Sequence, residues 1–161
     1  MGCLAGMRRR CMGAKPEKTL IRVLFEVTAI IFVFHYMLQP IQIIGSSMSP
    51  TYQDGSLNLM NRVCYKRTNP NRGDVVVVEN EGETLLKRIV AIPGERISIE
   101  QGTLRINGHI FENDPFGAIR IPWELSSQQL RANEYFVIGD NRNATVFCKV
   151  HKSKILGKVI F

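Results

Sequence analysis

The sequence predicts a mainly β protein in which one N-terminal transmembrane helix precedes a compact domain of antiparallel sheets. Three observations predict it. Residues 19–38 are dominated by Leu, Ile, Val and Phe; the chain beyond Pro40 breaks into short β-like runs separated by Gly, Pro, Asn and Asp; and Asn107-Gly108 falls between two such runs, where both turn positions must tolerate positive φ. Of the 161 residues, about 120 follow the apolar stretch, enough for one hydrophobic core.

The first element is the apolar segment. At about 1.5 Å per residue it is long enough to cross a hydrocarbon layer of about 30 Å. Arg22 and Glu26 intrude near its start, one helical turn apart and able to pair, and His35 and Tyr36 intrude near its far end, so the strictly apolar stretch is short. A cleavable signal peptide would carry a small-x-small site there. Phe, His and Tyr stand instead and Gln39-Pro40 leads into a strand, so an uncleaved signal anchor is expected.

The net charge of +7 divides unevenly. Residues 1–22 hold Arg8, Arg9, Arg10, Lys15, Lys18 and Arg22 against Glu17 alone, a surplus of five, and the rest holds 15 basic and 13 acidic residues. The basic segment 1–18 therefore stays on the cytoplasmic side, or its equivalent, and residues 39–161 lie across the membrane. The remaining bases are scattered without aromatic interleaving, which argues against nucleic-acid binding.

Strands are expected, in order, at 41–44, 56–60, 75–78, 84–92, 96–99, 103–106 and 135–138, with a hairpin across Asn107-Gly108 and a turn at Pro93-Gly94. Residues 112–129, with Pro115, Gly117 and Pro122, read as an irregular excursion from which Phe116 and Trp123 pack back on the sheets. Cys3, Cys11, Cys64 and Cys148 are widely separated, with no Cys-x-x-Cys pair and no adjacent histidine, so neither metal nor cofactor is expected. Only Cys64 and Cys148 share a side of the membrane, and a disulfide between them is open.

Two features carry chemistry. In Gly45-Ser46-Ser47-Met48-Ser49-Pro50-Thr51 a tight turn can present the Ser47 hydroxyl together with its own amide, the donor an oxyanion hole needs; the same residue types also make ordinary surface turns. Serine needs a base, and the three histidines lie outside every motif. In a strand over 84–92, alternation places Leu85, Lys87, Ile89 and Ala91 on one face. A lysine of pKa about 10.4 needs about 4.6 kcal/mol to lose its proton at pH 7. Desolvation among apolar neighbours supplies most of that, whereas a lysine at a sheet edge would only extend its amine to water.

Ser47-Met48-Ser49-Pro50-Thr51, Arg72-Gly73-Asp74-Val75-Val76-Val77, the run from Lys87-Arg88-Ile89 through Pro93-Gly94-Glu95, and Gly139-Asp140-Asn141-Arg142 occur in that order. With this order and spacing the chain resembles the type I signal peptidases, the family of bacterial leader peptidases and mitochondrial inner-membrane peptidase subunits. The resemblance runs from the anchor to the end of the sequence, and Arg105-Ile106-Asn107-Gly108 fits a hairpin that members often carry. It implies a signal-peptidase-like β domain over 39–161 in which Ser47 is the acylating nucleophile and Lys87 the general base. Gly45 takes a position that is serine in some members and glycine in others, leaving the oxyanion hole to backbone amides. Thr145 falls where a serine orients the lysine, and Gly139, Asp140, Asn141 and Arg142 form a structural motif. Ile43, Ile44, Met48, Tyr52, Leu85 and Leu86 fall where substrate pockets lie. Phe147, Cys148 and Lys149 replace the family's Asp-Ser-Arg, so its ion pair is absent and Phe147 is placed to substitute apolar packing.

The function implied is a membrane-anchored serine endopeptidase removing signal peptides from exported preproteins after small residues, with signal peptides and the lipid bilayer as partners. A bacterial inner (cytoplasmic) membrane is favoured over the mitochondrial inner one. The replaced triplet keeps open a catalytically weak or inactive subunit that binds leader peptides or supports an active partner. A self-cleaving repressor shares a Gly-x-Ser-Met turn and a lysine, but such proteins are soluble and carry a DNA-binding segment.

Overall fold

The computed structural model describes residues 16–111, 115–116 and 119–160. Most of the basic N-terminal segment, with Cys3 and Cys11, lies outside the described residues. Helix α1, Pro16–Tyr36, opens on a proline, whose missing N–H costs nothing in a first turn. Arg22 Nε meets Glu26 Oε1 at 3.0 Å, one turn away. From Glu17 to Tyr36 the helix is long and apolar enough to cross a membrane, and none of it is buried against the rest of the chain.

Eleven strands follow among the described residues: β1 Leu38–Gln42, β2 Leu57–Asn61, β3 Val75–Asn80, β4 Glu83–Ala91, β5 Arg96–Glu100, β6 Thr103–Ile106, β7 His109–Ile110, β8 Leu125–Gln129, β9 Glu134–Ile138, β10 Cys148–His151 and β11 Ile155–Val159. They form a seven-stranded sheet in the order β1-β2-β11-β3-β4-β9-β10 and a four-stranded sheet in the order β7-β6-β5-β8. All the strand pairings among the described residues are antiparallel. Pro40 is tolerated because β1 is an edge strand. Asn107 (φ 53°) and Gly108 (φ 83°) make the expected hairpin between β6 and β7.

The core lies on both faces of the large sheet. Val90, Ala91, Phe136 and Ile138 join Ile97, Ile99, Leu104 and Ile106 of the small sheet in one cluster, while Val76, Val78, Ile89, Tyr135 and Val137 form another with Cys148 and Val150. Burial on both faces explains the unbroken run Val75-Val76-Val77-Val78.

The structure revises several expectations. Leu125–Gln129, read as irregular, is strand β8; it is a sheet edge, so Ser126, Ser127 and Gln129 stay exposed and no apolar alternation marks it. Strands β10 and β11 were not expected. A register shift between Ile89 and Ala91 moves Ala91 away from the face of Lys87, into the cluster containing Val90. Cys64 and Cys148 are both free thiols. Trp123 does pack back on the core, against Phe147.

Candidate active site

The site forms where the serine turn meets the middle of β4. Gly45 has φ +94°, a conformation in which side chains are strained, and its N–H donates to Asp54 Oδ1 at 2.8 Å. Half-buried Ser47 then points into a groove of about 360 Å³ lined by Gln39–Ile44 on one side and by Val77, Thr84, Leu85 and Leu86 on the other. Among the described residues, neither the Ser47 amide nor its hydroxyl has a hydrogen-bond partner.

The turn is fixed from behind by the segment after β9. Asn141 N donates to Ser47 O at 3.0 Å, and Asn141 Nδ2 donates to Ser46 O at 3.1 Å. The second bond matters most, because Ser46 C=O and Ser47 N–H belong to one peptide plane, and holding the carbonyl aims the amide. Gly139 makes the close approach: a β-carbon there would lie 2.3 Å from Ser47 O and 2.4 Å from Thr145 Oγ1. Asp140, fully buried, takes Arg88 Nε at 2.7 Å, Arg88 Nη2 at 2.6 Å and Thr51 Oγ1 at 2.6 Å. Arg88 Nη1 reaches Gly73 O at 2.9 Å, so residues of all four sequence motifs meet around one guanidinium. Arg142 is fully buried beneath the same segment.

Lys87 is 3% exposed, in a strand flanked by β3 and β9. Its Nζ donates to Thr145 Oγ1 at 3.0 Å, and it forms no ion pair and no hydrogen bond to Ser47 among the described residues. Burial lowers its pKa below the ordinary 10.5, opposed by the neighbouring Cys148 thiol, which burial pushes up. Thr145 settles how the amine is used. Its hydroxyl donates to Val146 O at 3.1 Å and accepts from Gly139 N at 3.2 Å, so towards Lys87 it can only accept. The amine therefore spends an N–H on Thr145 and, when neutral, keeps its lone pair for another proton.

A contrasting lysine stands on the same sheet. Lys158 pairs with Asp74 Oδ1 at 2.6 Å. Burial alone would raise the Asp74 pKa, but hydrogen bonds from Lys158, the Asn71 amide and Tyr65, with the lysine charge, bring it below the usual value.

The expected pocket residues divide. Ile43, Ile44, Leu85 and Leu86 line the groove with Ser47. Met48 is a core residue, 1% exposed, packed with Val77 behind the groove wall, and Tyr52 lies on the far side of the turn with Pro50 and Leu57. Gln39, Gln42, Val77 and Thr84 were missed, since no local pattern tells that an edge strand will face the start of β4. Phe147 stacks on Phe136 with ring centroids 5.1 Å apart and meets Trp123 at 4.5 Å.

The family model described as signal peptidase, peptidase S26, matches residues 17–161. Curated relatives include a probable signal peptidase I-2 of Synechocystis sp., 27% identical over 159 residues that cover 89% of this chain and 72% of the relative. Signal peptidase IB of Staphylococcus aureus is 26% identical over 166 residues, covering 88% of this chain and 86% of the relative. A crystal structure of a signal peptidase I from Enterococcus faecalis aligns with TM-score 0.47 at 23% identity, covering 56% of this chain and 97% of that one.

Proposed function

The chain belongs to the signal peptidase S26 family, serine peptidases that process signal peptides, and from that premise we propose that it is a membrane-anchored endopeptidase working through a Ser47–Lys87 dyad. The observation that carries this reading is the environment of Lys87. Among the described residues it is a buried lysine without a carboxylate, bonded only to the hydroxyl of Thr145, which crowds Gly139 together with the Ser47 carbonyl, while Ser47 itself stands unpartnered at the head of an apolar groove.

In this mechanism an extended signal peptide adds alongside the groove, with edge strand β1 and the start of β4 as its walls. Lys87 takes the Ser47 proton as Oγ bonds to the scissile carbonyl carbon, and the Ser47 amide receives the oxyanion. The Lys87 ammonium then gives its proton to the departing amine as the peptide C–N bond breaks, leaving an acyl-enzyme. Lys87, neutral again, deprotonates a water that hydrolyses the ester. The dyad hydrogen bond forms with substrate in place, in keeping with the looser hydrogen bonds of unliganded sites. Gly45 offers no side chain to the oxyanion hole, so its donors are amides.

Helix α1 serves as the anchor, with residues 1–18 on the cytoplasmic side of a bacterial inner membrane and residues 39–161 opposite. The packing of Phe147 favours an active enzyme, because it supplies a brace where the family's ion pair is missing. The test is cleavage of a precursor bearing a small-x-small site by detergent-solubilised protein, alongside Ser47→Ala and Lys87→Ala. Both variants should lose at least about a thousandfold in kcat, with circular dichroism unchanged. A parent that does not cleave sinks the enzyme, and an active Lys87→Ala sinks the base.

A further inference from the structure

Where α1 ends, the chain builds a second concavity that the peptidase site does not use. A cavity of about 340 Å³ lies between the last turn of the helix and the chain after β2, lined by His35, Tyr36, Arg62, Val63, Lys66 and Leu156. Arg62 and Lys66 also line an adjoining hollow with Lys152. None of these three cations forms an ion pair among the described residues, and Lys152 Nζ donates only to the neutral acceptors Thr68 O and Asn69 Oδ1. Positive charge is thus concentrated without a counter-charge around a pocket whose other walls are aromatic and aliphatic.

Connectivity fixes the depth of this pocket. Arg62 N donates to Met37 O at 3.0 Å, tying it to the residue that follows the helix. If α1 spans the bilayer, its 21 residues at about 1.5 Å each match a core of about 30 Å. Tyr36 then lies at the interface, and Arg62 and Lys66 lie at the level of lipid phosphates. Tyrosine belongs to that layer, Val63 and Leu156 suit the upper acyl chain, and a phosphodiester is the anion found there.

We propose that this cavity binds the phosphodiester headgroup of an anionic glycerophospholipid in the leaflet from which the helix emerges. The lipid orients the catalytic domain against the membrane, because β1, which carries one wall of the active groove, starts at the next turn of chain. The proposal rests on the membrane-spanning reading of α1.

The test uses the full chain in an uncharged detergent, with native mass spectrometry reading retained phosphatidylglycerol and phosphatidylcholine for the parent and Arg62→Gln/Lys66→Gln. Each interfacial charge is worth about fivefold in binding, so the double variant should bind phosphatidylglycerol about 25-fold more weakly while cleaving a soluble peptide at the parental rate. Equal retention by parent and variant overturns the site, as does equal retention of phosphatidylcholine. Inorganic phosphate competing at the same concentration as the lipid overturns the lipid in favour of a free anion. Alkaline carbonate extraction of native membranes separates the two readings. Release of the chain defeats the anchor and this proposal with it, whereas a retained chain without lipid preference defeats the proposal alone.

Discussion

Residues 139–142 and 145–148 hold the same serine and lysine from neighbouring positions, and they do so by opposite physics. The first group is polar and buried: Asp140 takes three hydrogen bonds from Arg88 and Thr51, and Asn141 grips two carbonyls of the serine turn. The second is mostly apolar, with Phe147 between Phe136 and Trp123, Cys148 in the core, and Thr145 giving Lys87 a hydroxyl contact. The difference separates two tasks. The polar bonds fix the direction of backbone groups around Ser47, where angle matters. Apolar packing keeps carboxylates away from Lys87, where any nearby negative charge would hold the proton on.

The comparison breaks most visibly at Asp140. Asp140→Ala removes the fully buried carboxylate that Arg88 and Thr51 bond and should cost about 3–5 kcal/mol, read by denaturant unfolding in micelles. If Asp140→Ala is milder than Phe147→Ala, the polar half is not the stronger brace. Phe147→Ala removes a half-buried ring and should cost about 2 kcal/mol, with Phe147→Leu recovering most of it. The emission of Trp123, the chain's one tryptophan, is the natural probe, since its ring touches Phe147.

Thr145→Val deletes the acceptor of Lys87 and should lower kcat about tenfold with KM nearly unchanged, a loss of about 1.4 kcal/mol in transition-state stabilisation. A change confined to KM would mean that Thr145 serves the groove rather than the amine. Asn141→Ala should likewise reduce kcat by several-fold, as the Ser47 amide loses its aim.

The smallest effect concerns pH. The folded state holds the Lys87 pKa below 10.5 by burial. Between the lowered folded value and the unfolded one, the unfolded chain binds more protons, so stability rises with pH through that window. Lys87→Met should therefore flatten the rise and be slightly more stable than the parent at neutral pH. Peptidase activity should climb with pH as Lys87 deprotonates; a flat alkaline limb would contradict the neutral-amine mechanism.

Much of the fold was legible because local pattern and final environment agreed. The helix announced itself by an apolar run that no other described residue buries, and the β6–β7 hairpin by a dipeptide that tolerates positive φ at both turn positions. Strand β8 was not legible, because an edge strand can keep a polar sequence, and β11 was hidden by Gly157, which is required where Met60 and Asn61 press within 3 Å of its missing side chain. At the site, order and spacing of motifs drew attention to Ser47, Lys87 and Thr145, but Met48 and Tyr52 sat beside them in sequence and still fell outside the groove.

The sequence by itself determined the family, the apolar helix, most of the strands and the residue types available for chemistry, since these follow from periodicity, turn chemistry and ordered motifs. Only the tertiary structure decided what each lysine is. Alternation puts a lysine on a face, but whether that face is an open edge or the covered middle of a sheet depends on strands far away in the chain. Lys158 met the carboxylate of Asp74. Lys87 met Thr145 and apolar walls, where losing a proton costs least.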